Sequence, residues 1–351
     1  MKLIRLWGIL LFVLTSCNFR SSDLEEALVL AGNNRPELEA VLDHFKDRGK
    51  VAYESACFLI TNMQYHESKD EIVLDSLYNS YFIHTDSLYR GIFSKIPLNE
   101  QKEYKGREYD SLRLTLGDIF NTLPAPQIKS GVHLSDLQTV KSDFLIDNIE
   151  EAIKIWEANE YDYRKDFDFF KEFILPYRTT NEYLAHKRSE IRKMYESLLV
   201  DTASIRTQIE HYKIYVDKCR WINHHTKPKG HLGIYDLFVP KFKMDCHNMT
   251  NWSCNVLRAC GIPTIYEFTD RDNRHFWCVS PDSIGILQPY TAPDNNIRED
   301  WESDIKYAGK VYRKTYGAQK NTPYFWADED EFIPESFKTP LLSDQTFRYH
   351  Q

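Results

Sequence analysis

The chain has 351 residues, of which 42% are hydrophobic and 14% aromatic, enough to bury the core of one or two ordinary domains and too apolar for a chain disordered throughout. Its formal net charge of −8, with no Lys/Arg cluster interleaved with stacking aromatics, excludes nucleic acid as the expected partner.

Residues 1–16 pair a basic start (Lys2, Arg5) with an apolar run from Leu6 to Leu14, and Leu14-Thr15-Ser16 then leads to Cys17. This is the pattern of a lipoprotein signal peptide cleaved before Cys17, with lipid attached to that cysteine; the run is too short to span a membrane. The expected location is the cell envelope, anchored by lipid. Asn18 stands where an aspartate would signal inner-membrane retention, so the outer membrane is the expected site.

Residues 17–200 read as a helical region. Ser22-Asp23-Leu24-Glu25 has the form of a capping box. Pro36 then opens a helix with the stripe Leu38, Val41, Leu42, Phe45, closed by Gly49, and Ala52, Ala56, Leu59, Ile60 and Met63 form a second stripe. The segment from Asp75 to Tyr109 is polar, tyrosine-rich and weakly periodic. Ser135 is placed to cap one long helix through Leu137, Val140, Phe144, Leu145, Ala152, Ile155 and Trp156. A short helix through Phe169, Phe170 and Phe173 must stop near Pro176, and stripes through Leu184, Ile191, Tyr195, Leu198 and then Ile205, Ile209, Tyr212, Val216 follow.

The texture changes around Lys227-Pro228-Lys229-Gly230, within the 201–320 segment read as the second unit. One helix, His247 to Cys260, stops at Gly261 and Pro263. Strand-like runs follow at 264–268, 275–280 and 284–290. Helix first and strands after predicts an α+β fold with a small antiparallel sheet. Residues 321–351 read as a C-terminal tail whose last ten or so residues are poorly packed.

The cysteines point to chemistry. Apart from Cys17 the chain has Cys57, Cys219, Cys246, Cys254, Cys260 and Cys278, and four of them crowd into residues 246–278, a poor way to staple a fold. No Cys-x-x-Cys or His-x3-His pair is present, so no metal site and no cofactor are expected. Cys246 precedes a helix, where free backbone amides favour a thiolate, and His275 opens a later strand from which an imidazole can reach a thiol.

Asp245-Cys246, Val256-Leu257-Arg258-Ala259-Cys260-Gly261-Ile262-Pro263 and His275-Phe276-Trp277, in that order, resemble the transglutaminase-like branch of the papain-type cysteine enzymes. The segments 58–63, 144–149 and 174–178 extend the resemblance to exported Bacteroides-type lipoproteins that carry such a core behind a helical region. The resemblance implies a transglutaminase-like, papain-like core with a nucleophile helix, Cys246 as nucleophile and His275 as general base. It also implies a further β-rich domain beyond a chain of this extent. The family's third residue is an aspartate on the next strand; here that strand reads Ile286-Leu287-Gln288-Pro289-Tyr290. With a turn at Asp282-Ser283, His275 falls opposite Tyr290 and Gln288 shares its face, which makes Gln288 the first candidate to orient the imidazole, with Asp282 and Asp294 behind it.

Tyr177 and Arg178 are placed either to line a substrate cleft between helical region and core or to pack the two together, and Trp277 is the third candidate for contact with substrate. The implied activity is acyl transfer or hydrolysis at a peptide or carboxamide carbonyl through a Cys246 thioester. The substrate is then a peptide or protein, peptidoglycan-derived peptides included. The alternative is an inactive lipoprotein that binds a peptide or glycan in the same cleft. Nothing in the sequence fixes an oligomeric state.

Overall fold

The computed structural model describes residues 21–73, 106–122, 127–158, 166–184, 186–195, 204–221, 246–269, 275–291, 310–328 and 330–349, with isolated positions between 77 and 100. It mixes helices with two small antiparallel sheets, an α+β composition. The lipid-attachment candidate Cys17 lies outside the described residues, and no helix among them is long and apolar enough to cross a membrane.

Helix α1 (Ser22–Leu30) is capped one residue earlier than the pattern suggests, by Ser21, whose hydroxyl accepts from the Leu24 amide at 3.3 Å. Helix α2 (Arg35–Phe45) begins with Pro36 in its first turn and buries Leu38, Val41, Leu42 and Phe45. Gly49, at φ 97°, turns the chain into α3 (Lys50–Asn62), which buries Ala52, Ala56, Leu59 and Ile60 against α1 and α2. Strand β1 (Glu67–Val73) then pairs antiparallel with β2 (Gln127–Ser135), and α4 (Arg107–Asn121) falls between them in the chain. Neither strand is among the elements that periodicity predicts.

Ser135 does not cap one long helix. A short α5 (Asp136–Thr139) ends at Val140, which is extended (ψ 132°), and α6 (Ser142–Glu157) starts afresh. Side chains from α2 and the turn before it make the break. The Asn34 amide donates to the Leu137 and Val140 carbonyls at 3.0 and 2.8 Å, and the Glu37 carboxylate accepts from the Ser142 amide and hydroxyl at 2.9 and 2.7 Å, recapping the chain as α6. Helix α7 (Phe167–Phe173) stops ahead of Pro176, and its freed carbonyl end is taken up by the Arg188 guanidinium, which donates to the Ile174 and Pro176 carbonyls at 2.7 and 2.9 Å. Arg188 opens α8 (Arg188–Tyr195), which is followed by α9 (Ile205–Trp221) and α10 (Cys246–Ala259).

The second sheet has the order β5-β4-β3-β6-β7, antiparallel throughout: β3 (Ile265–Thr269), β4 (Phe276–Pro281), β5 (Leu287–Tyr290), β6 (Val311–Lys314) and β7 (Leu342–Asp344). Alternation gives it two buried faces. Tyr266, Phe268, Phe276, Cys278 and Tyr290 join the core around α10. Ile265, Trp277, Val279 and Val311 join the core built by α1 to α3, α6 and α7. The sheet therefore contributes to both buried clusters, one with the helices up to Tyr177 and one with the elements from Tyr195 onward.

The C-terminal residues depart from the expectation of a loose tail. β7 completes the sheet, Leu341, Leu342 and Gln345 are buried, and the Tyr349 hydroxyl donates to the carboxylate of Glu267 and accepts from Trp277 Nε1. Two apolar residues and a tyrosine satisfying a buried acid are enough to fix a short strand at a sheet edge.

Candidate functional site

Helix α10 is the rigid element of the candidate site. Cys246, its first residue, is exposed, whereas every residue from Asn248 to Ala259 is buried. Such a helix would normally show a polar stripe to solvent; here its polar side chains are met by other elements instead. Ser253 Oγ accepts from the Tyr212 hydroxyl at 2.7 Å, Asn255 donates to Glu182 at 3.0 Å, and Arg258 donates to the Thr264 and Arg178 carbonyls at 2.7 and 3.2 Å. The helix ends in a Schellman motif: Gly261 sits at φ 90°, its amide donates to the Arg258 carbonyl at 3.1 Å, and the Ile262 amide donates to the Leu257 carbonyl at 2.8 Å.

The start of α10 and the start of β4 lie together. The His247 ring meets Phe276 edge-on at 5.0 Å and Tyr266 at 5.9 Å, so Cys246 is next to a residue that touches the neighbour of His275. His275 itself precedes β4, its carbonyl accepting from the Thr269 amide at 3.0 Å, and its ring lies 6.0 Å from that of Trp277. Trp277 belongs to the face turned away from α10. The imidazole packed against Phe276 on the helix side is that of His247, while the His275 ring lies near Trp277 on the approach to β4. The segments preceding both residues, 222–245 and 270–274, lie outside the described residues.

Gln288 is not an orienting partner of His275. The register pairs Gln288 with Ser280 and Tyr290 with Cys278, because the hairpin turns through five residues centred on Ile284, with Gly285 at φ 89°, rather than at Asp282-Ser283. Gln288 donates to Asp282 at 3.3 Å, and the same carboxylate accepts from the Ile284 and Ile286 amides at 3.0 and 2.9 Å, so Asp282 is committed to the turn. Asp294 lies outside the described residues. The acid on the His275 and Trp277 face is Glu267, which pairs with Trp277 across β3 and β4 and is fully buried. Its carboxylate accepts from Arg313 at 2.8 Å and Arg348 at 2.6 Å, as well as from Tyr349.

The three substrate-contact candidates are interior residues. Trp277 is 0% exposed. Arg178 is closed off from solvent, donating to Asp136 at 2.6 and 2.7 Å and to the Glu182 carbonyl at 2.7 Å, and the Tyr177 hydroxyl donates to the same aspartate at 2.7 Å. Burial opposes the charge on Arg178, but the carboxylates of Asp136 and Glu182 outweigh it and hold the guanidinium above its ordinary pKa. These two residues belong to the packing alternative.

Cys57, Cys246, Cys254, Cys260 and Cys278 stand outside any disulfide. Cys254 and Cys278 lie 3.8 Å apart in the core, where burial and then the neighbouring thiol push Cys278 well above the usual thiol pKa. No cluster of metal-ligating side chains occurs among the described residues.

A cavity of about 270 Å³ opens between α9 and the β4–β5 hairpin, and Lys213, Arg206, Asp282 and Gln288 line it. Lys213 is 1% exposed, its Nζ 3.1 Å from Glu210 and 5.6 Å over the Tyr290 ring. Its signal in the sequence is a lysine four residues after Ile209, inside a buried stripe. The cavity lies at the far end of β4, five strand residues or roughly 16 Å from His275, and does not serve Cys246. Comparison of the chain with protein-family models, curated proteins and solved structures returned no match.

Proposed function

We propose that the chain is a cysteine-dependent enzyme of the cell envelope, lipid-anchored through Cys17, that transfers or hydrolyses acyl groups of peptides or proteins on a transglutaminase-like core. The observation that carries this reading is the setting of Cys246: an exposed residue at the start of a helix that is buried from Asn248 to Ala259 and packs on an antiparallel sheet. Free backbone N–H groups at such a position favour a thiolate and a developing oxyanion.

In this reading His275 takes the Cys246 proton as the sulfur attacks the carbonyl carbon. Collapse of the tetrahedral intermediate breaks the carbon–nitrogen bond, and the imidazolium returns the proton to the leaving amine. The resulting thioester is cleaved by water, which gives its proton to His275 and releases the acid and the thiol.

The test is labelling with a peptidyl electrophile directed at thiols, read by mass spectrometry. Selective modification of Cys246, lost in Cys246→Ala and slowed in His275→Ala, is expected; equal modification of Cys57 and Cys246 rejects the enzyme. A second reading, a binding lipoprotein that has lost catalysis, is favoured by the commitment of Gln288 to Asp282 rather than to His275. It predicts retention of peptide by the protein with no electrophile selectivity.

A further inference from the structure

We propose that the cleft bounded by Tyr65, Tyr324 and the 335–341 segment binds a short oligosaccharide. The cleft has a volume of about 400 Å³ and shares no lining residue with the Cys246 end of the molecule. That volume falls in the range of small-ligand sites.

The lining is of a particular kind. Gln64, Thr179, Thr180, Asn181, Ser336 and Thr339 present amides and hydroxyls, groups that both donate and accept as sugar hydroxyls do. Ser336 Oγ is itself buried, with no hydrogen-bond partner among the described residues; a buried hydroxyl left so is a place where a ligand group fits. Formal charges are mixed: Lys338 is paired with Glu335 at 3.1 Å, and Glu67 and Lys314 also line the cleft, so the site is not built for a phosphate or another strong anion.

One wall is aromatic. Tyr65 meets Tyr324 edge-on at 5.9 Å and Phe325 at 6.3 Å, while Tyr324 remains 48% exposed and the adjacent Trp326 60% exposed. A flat ring beside fixed polar groups matches a pyranose, whose C–H face stacks on the ring while its hydroxyls reach sideways. A purely apolar ligand would leave the polar lining unpaired.

The 179–182 part of the lining is preorganised. The Glu182 carboxylate accepts from the Thr179 and Thr180 amides, both at 2.7 Å, and Asn255 of α10 braces the same carboxylate at 3.0 Å. His66 is fixed by stacking on Tyr316 at 4.2 Å and by its Nε2–H, which donates to the Tyr316 carbonyl at 2.9 Å. A site that does not reorganise loses less free energy on binding.

The test uses the whole protein titrated by calorimetry and saturation-transfer NMR with the neutral sugars maltotriose, triacetylchitotriose and xylotriose. Saturable binding of at least one is expected, weakened at least tenfold by Tyr324→Ala, largely kept by Tyr324→Phe, and weakened several-fold by Ser336→Ala. Cys246→Ala should leave it unchanged, which separates this site from the catalytic reading. Both cleft variants change partly exposed positions, and melting curves would verify their fold. Absence of saturable binding to all three sugars, or binding indifferent to both Tyr324→Ala and Ser336→Ala, overturns the proposal. In that case the exposed aromatics from Tyr324 to Trp326 would be a docking surface for protein.

Discussion

The Arg178 guanidinium and the Asp136 carboxylate meet at 2.6 Å with both side chains essentially closed to solvent. An ion pair placed there holds α5, the start of β1 and the 178–182 loop together, because the same guanidinium also donates to the Glu67 and Glu182 carbonyls. Removing one partner strands the other charge in the interior. Asp136→Ala is therefore expected to cost about 3–5 kcal/mol of folding stability in urea denaturation. Lys46→Ala, which breaks the exposed pair with Asp43, should cost less than about 1 kcal/mol. If Arg178 bound substrate instead, its loss would lower activity at unchanged stability.

A second prediction concerns pH. The His66 imidazole is pushed down to about 3 by burial and, after that, by the Arg178 charge. An unfolded chain binds that proton near the ordinary value of 6.5, so between the two values the unfolded state holds more protons than the native one. The His66 contribution is complete above about pH 6.5 and is lost as pH falls toward 3, at up to roughly 1.4 kcal/mol per pH unit. His66→Gln, which keeps a donor for the Tyr316 carbonyl, should flatten that limb of the stability profile measured by chemical denaturation.

Thiol chemistry gives a third. Cys246 should be alkylated under native conditions, while Cys254 and Cys278 react only after unfolding. Gln288→Ala should leave the rate at Cys246 unaltered, since its amide is bound to Asp282 on the far part of the hairpin. His275→Ala should slow substrate turnover by about 10²–10⁴, and a comparable loss with His247→Ala alone would transfer the base role to the helix-side imidazole.

Two glycines make a matched pair for a fourth. Gly261 has a positive φ, and a Cβ there meets only Ile155 at 3.5 Å, so Gly261→Ala should cost about 1–2 kcal/mol through the backbone alone. A Cβ at Gly317 would press on the Phe58 ring at 3.0 Å, and its cost, about 1–3 kcal/mol by overpacking, should be relieved by Phe58→Leu. Thermal melts of the single and double variants separate the two causes.

Elements whose burial follows a local period were readable in the sequence. The stripe of α2 is buried as read, and α10 starts and stops within one residue of its expected bounds because Gly261 fixes its end. Strands β3 and β4 were also foreseen nearly in place. What was hidden depends on distant partners. β1 reads Glu-Ser-Lys-Asp-Glu-Ile-Val, with no alternation, and its pairing strand begins more than fifty residues later. The break at Val140 is made by Asn34 and Glu37, over a hundred residues earlier in the chain. Glu267 looks like a solvent-facing acid inside an apolar strand until Arg313 and Arg348 arrive to neutralise it. The hairpin register turned on a three-residue shift in where β4 and β5 meet, which alternation alone does not fix.

The Tyr316 carbonyl accepts from His66 across 250 positions of chain, the Tyr316 hydroxyl donates to Leu59, and Tyr349 reaches back to Glu267. A chain leaving the ribosome from its N-terminus can form α1 to α3 early and pack α6 and α7 on them, but the cover of this core is complete only when residues beyond 310 have emerged. Folding of such a topology waits on loop closures of high contact order and exposes apolar helix surface meanwhile.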